Sequence, residues 1–117
     1  MELIERLEIF KNSGQISEKE IEALLKIIEM FDKFGILLNE ENGAMLVTHL
    51  CVAVNRINNN DLVKEMDSEV YKEIENTTSF DKAEKAFLLI QEALQIQIPN
   101  CEKGYIMVHL CTLFERE

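Results

Sequence analysis

Turn-forming residues are scarce: one proline and four glycines in 117 residues argue against many short strands and for long helices. Basic residues are outnumbered, 12 against 22 acidic, for a net charge of −10. No run of Lys or Arg builds a cationic face that could neutralise phosphates, so direct contact with nucleic acid is not expected. An acidic surface also repels anionic lipid and suits solubility or a basic protein partner. Three cysteines, Cys51, Cys101 and Cys111, make an odd number without a CxxC. Two of them lie inside apolar helical runs, a pattern of reduced, buried thiols rather than a disulfide framework. No apolar stretch approaches the roughly 20 residues of a membrane span, and Glu2, Glu5 and Glu8 interrupt any N-terminal signal segment. A cytoplasmic protein is expected. Gly-rich phosphate loops, HExxH and GxSxG are absent, so no familiar catalytic motif is legible.

What is present is an ordinary globular balance, 47% apolar and 29% charged residues, in a length that suits one domain. Helical spacing places Leu3, Ile4, Leu7 and Phe10 on a first short helix, ended by Asn12-Ser13-Gly14. Ser17 and Glu20 form a capping box for a second helix, and Ile16 is placed to staple to Ile21. Its stripe runs through Leu24, Leu25, Ile28 and Phe31, with Gly35 as the stop. After the polar break at 39–42, a third helix extends to about Asn58 on Leu46, Leu50, Ala53, Val54 and Ile57. A weaker helix is expected over Ser68 to Glu75. Thr77-Thr78-Ser79 offers caps for a fifth, carrying Ala83, Ala86, Phe87, Ile90 and Leu94, and Pro99 fits the first turn of a last one. The expected fold is all-α: a compact bundle of five or six helices, one domain over 1–117, with 1–14 as a helical extension and 17–117 as the core.

Two segments echo each other. Val47-Thr48-His49-Leu50-Cys51 and Met107-Val108-His109-Leu110-Cys111 both set His-Leu-Cys in an apolar helix, 60 residues apart. His49 falls at the margin of the buried stripe of its helix, with Arg56 two turns on; Glu102, Tyr105 and His109 follow i, i+3, i+7 in the last helix. Each imidazole can thus pack in part and still present a ring nitrogen, and a pKa near 6.5 leaves that nitrogen free to attack a phosphoryl donor. His and Cys two apart on a helix diverge by about 200°, so neither HxC can chelate one metal by itself. A metal site would need His49, His109, Glu102 and the cysteines to converge. Met45, Met66 and Met107 fall on helical stretches and are expected to fill the core.

These residues carry a family resemblance. The stretch THLCVAVNRI, Thr48 to Ile57, resembles the first histidine segment of PTS regulation domains; IPNCEKGYIMVHL, Ile98 to Leu110, resembles the second. The interval and helical order agree over about residues 17 to 117. The resemblance implies a five-helix fold of two antiparallel helix pairs and a regulatory role in bacterial sugar uptake. It also implies phosphorylation by the histidine phosphocarrier protein or a sugar-specific phosphotransferase component, and a homodimer. On this likeness His49 and His109 are the phosphoacceptors and Arg56 and Glu102 support them; no cofactor and no catalytic activity are implied. Where many family members have aspartate before the first histidine, this chain has Thr48. No RNA- or DNA-binding domain and no second copy of the module lie within the 117 residues. Two other readings stay open: a constitutive interaction module on the same fold, separated by replacing both histidines, and a small metal protein, separated by elemental analysis.

Overall fold

The computed structural model describes residues 1–116. Six α-helices form among the described residues: α1 (Leu3–Asn12), α2 (Glu18–Met30), α3 (Glu40–Asn58), α4 (Ser68–Glu75), α5 (Phe80–Leu94) and α6 (Asn100–Arg116). Among the described residues there is no strand, and the expected all-α bundle is what forms.

The starts of the helices follow from local hydrogen bonding. Ser17 Oγ accepts from the Glu20 amide at 3.2 Å, and Glu20 Oε1 accepts from the Ser17 amide at 2.9 Å. Two of the amides that open α2 are thereby satisfied. Asn39 and Asn42 exchange the same pair of bonds at 3.0 and 2.8 Å to open α3. Asp67 Oδ1 takes the Glu69 amide at the head of α4. Between α2 and α3 a 3₁₀ turn, Phe31–Phe34, is closed by Gly35 at φ 75°, a left-handed conformation that glycine adopts without a Cβ penalty.

Two local expectations are corrected. Ser79 precedes α5 without giving it a side-chain cap. Thr77 Oγ1 donates instead to the Ile74 carbonyl at 2.8 Å, so the threonine closes α4 rather than opening α5. Pro99 stands just ahead of α6, its carbonyl accepting from the Glu102 and Lys103 amides, so it serves as the residue before the first turn.

Five helices form a closed ring in which each packs on the next: α1 on α3, α3 on α6, α6 on α5, α5 on α2, and α2 back on α1. α4 lies outside the ring against α6. The centre is filled by Leu7, Leu24, Ile27, Phe31, Leu50, Ile90, Ile106 and Leu110, all essentially without solvent contact. α6 packs on three neighbours, so its buried positions surround most of the helix, from Glu102 to Phe114. α1 is too short to stand alone in water. Burying Leu3 and Leu7 holds it in the ring, at roughly 2 kcal/mol for each leucine. The methionines divide. Met107 is core, as expected, but Met66 lies in the segment between α3 and α4, and Met45 is 72% exposed. The helical period gave Met45 a place on α3 without deciding which face is covered.

Candidate functional site

Packing α3 against α6 sets the two His-Leu-Cys segments side by side. The His49 and His109 rings meet with centroids 4.9 Å apart and planes tilted by 42°. Cys51 and Cys111, two residues on, turn to the buried side, as the helical rotation requires. Burial pushes the Cys51 thiol up to about 12 and raises that of Cys111, which leaves both as unreactive thiols at neutral pH. Among the described residues, no group of three or more His, Cys, Asp or Glu side chains is placed to hold a metal ion.

Beneath the histidines lies a fully buried carboxylate. Glu102 accepts from Arg56 Nε at 3.0 Å and from Arg56 Nη2 at 3.1 Å, the two-pronged geometry that a guanidinium makes best. Glu102 Oε1 also stands 3.9 Å from His49 Nε2, too far for a hydrogen bond. That nitrogen is buried without any hydrogen-bond partner, alone in this respect among the described side-chain N and O atoms. Because Arg56 already neutralises Glu102, the carboxylate does not hold the imidazole protonated. Burial dominates, His109 and the Arg56 cation add to it, and the His49 pKa falls to about 4. Burial lowers that of His109 as well. Both rings are therefore neutral at pH 7 and carry a nucleophilic lone pair. His49 Nε2 is closed off, so a donor reaches His49 through Nδ1 or after the ring has turned. His109 has no such enclosed nitrogen.

The rings open onto a groove of about 340 Å³ lined by Arg6, Met45, Thr48, His49, Arg56 and His109, among others. Sequence reasoning placed the two histidines, Arg56 and Glu102, and the structure brings all four together. It did not single out Arg6. This side chain crosses from α1 to donate from Nη1 to Thr48 Oγ1 at 3.1 Å and to fork onto Glu40 through Nε and Nη2. The one available signal was its isolation: Arg6 is the only basic residue among the first ten. Tyr105 frames the other side, its ring centroid 6.4 Å from that of His49 and its hydroxyl donating to the Lys64 carbonyl.

The site is thus a pair of histidines on facing helices of a helical ring. The PRD domain family model matches residues 22–112, and the chain belongs to that family, a regulatory domain of the phosphotransferase-system type. It is similar to the uncharacterized protein YhfY of Escherichia coli (strain K12), at 18% identity over 93% of this chain and 92% of that protein. No solved structure matches the chain. Among the described residues no helix is long and apolar enough to cross a membrane.

Proposed function

We propose that the chain is a phosphoacceptor regulatory module, with His109 as the first acceptor and His49 as the second. The observation that carries this reading is the pairing of the rings at 4.9 Å in one groove with Arg6 and Arg56. The donor is a phosphohistidine protein: the histidine phosphocarrier or a sugar-specific transporter component. In the transfer, the lone pair of the acceptor nitrogen forms a new N–P bond while the donor's N–P bond breaks and its electron pair returns to the donor imidazole. The N–H on the opposite nitrogen of each ring stays in place, so no proton is consumed. His109 goes first because neither of its nitrogens is both buried and unpartnered, whereas an attack from His49 must use Nδ1 or wait for the ring to turn.

The output is a charge switch. A phosphoryl group adds close to two negative charges and three strong acceptor oxygens. Placed beside two guanidiniums in a chain of net charge −10, it draws cations inward and repels acidic surfaces. We place this switch in the cytoplasm, acting on a homodimer or on a protein partner without catalysis and without direct nucleic-acid contact. The test is transfer of phosphate from phosphoenolpyruvate through the general phosphotransferase enzyme and the phosphocarrier. The wild type should take up phosphate, the His109→Ala variant much less, and the His49→Ala, His109→Ala double variant none. Equal labelling of the double variant would place the phosphate elsewhere and overturn the reading.

A further inference from the structure

The groove holds two guanidiniums, and their attachments differ. Arg56 is fixed on Glu102, a carboxylate without solvent contact; letting go would leave a buried charge unpaired, which is strongly unfavourable. Arg6 is held by Glu40 in a pair whose side chains keep 27% and 25% of their exposure, so both charges retain water contact and exchange partners at lower cost than the fully buried pair. Arg6 directs three of its five N–H donors to Glu40 and Thr48. Thr48 immediately precedes His49, so the guanidinium is already anchored beside the histidine pair. A phosphoryl group is a stronger guanidinium ligand than a half-solvated carboxylate, having more charge and three acceptor oxygens. Glu40 can be released without loss of its place, since it sits half-buried in the first turn of α3, where the helix dipole favours a negative charge.

We propose that Arg6 is the residue that reads the modification: when a histidine of the groove carries a phosphoryl group, the Arg6 guanidinium leaves Glu40 for the phosphoryl oxygens. Glu40 and the phosphoryl group thus compete for one cation, and α1, which packs on both α2 and α3, is the element that feels the outcome. The histidine pair supplies the attachment point and α1 the response. This rests on the phosphoacceptor reading of His49 and His109.

The competition is measurable as an equilibrium. Protein and phosphorylated histidine phosphocarrier are mixed, and the distribution of phosphate between them is read by intact mass at alkaline pH. Arg6→Gln should lower the exchange constant about tenfold, the worth of a charge-assisted hydrogen bond or two. Glu40→Gln, which keeps Arg6 and removes its competitor, should raise the constant by about threefold. In the Arg6→Gln background, Glu40→Gln should then change nothing. A merely structural ion pair would leave the constant unmoved in all three variants. A simple field effect would preserve the Glu40→Gln gain without Arg6. Either result overturns the role of Arg6 while phosphate uptake by the wild type keeps the acceptor reading intact; no uptake by the wild type removes both. Should Arg6→Gln fail to fold, a Glu40→Gln variant with an unchanged constant is sufficient to overturn the proposal.

Discussion

His49 shows how much one side chain depends on its surroundings. Its Nε2 is enclosed and unpartnered, and its pKa lies near 4, below the 6.5 of a free imidazole. The folded protein thus binds the proton less tightly than the unfolded chain does. The stability this confers is present in full above pH 6.5 and is lost as pH falls toward 4, with His109 acting in the same direction. A urea series between pH 7 and pH 4 should show that decline, and His49→Gln should flatten it in part. Proton spectra should give His49 a midpoint near 4; a midpoint at 6.5 would contradict the enclosed ring. The role of Glu102 was only half legible. The sequence placed it near His109 by helical spacing, but its fork with Arg56 joins residues 46 positions apart, and no local pattern encodes that. Arg6 was less legible still, because its meaning comes from Glu40 and Thr48 on another helix.

At the scale of elements, hydrogen-bonding chemistry close in sequence was readable and burial was less so. The Ser17–Glu20 box, the Gly35 stop, and the ends of α3 and α4 stand where the residues require. The points that differ are Thr77-Thr78-Ser79, where the Thr77 hydroxyl bonds back to Ile74 at the end of α4, and Pro99, which stands one residue ahead of α6. Met45 was misplaced because periodicity locates a residue on a helix without saying which neighbour covers it. The start of α3 carries a further detail. Leu38 precedes the Asn39 cap and lies where a hydrophobic staple would meet the fourth helical residue, which here is Gly43. A Cβ on Gly43 would come within 2.6 Å of Leu38 Cγ. Gly43→Ala gains about 1 kcal/mol of helix propensity and loses about 1–3 kcal/mol to overpacking. Denaturant unfolding should show a net loss of roughly 1 kcal/mol, where an exposed helical glycine would show a gain.

For the whole molecule, the closed ring joins five amphipathic helices and sets the two histidine helices side by side. The 60-residue echo of His-Leu-Cys was visible in the chain, and so was its likeness to the PRD family; the ring order that makes α3 and α6 neighbours was not, since it depends on contacts among five helices. That order gathers two imidazoles and two guanidiniums, each paired with a glutamate, on a molecule whose net charge is −10. The groove is proposed to carry phosphate on an imidazole nitrogen. Phosphorus NMR of protein labelled with nitrogen-15 in histidine, after exposure to the phosphorylated carrier, tests it most directly. The expected result is a phosphorus resonance split by coupling to an imidazole nitrogen, lost in large part with His109→Ala and wholly with both histidines replaced. A phosphorus signal without nitrogen coupling, or one that survives the double replacement, would contradict it.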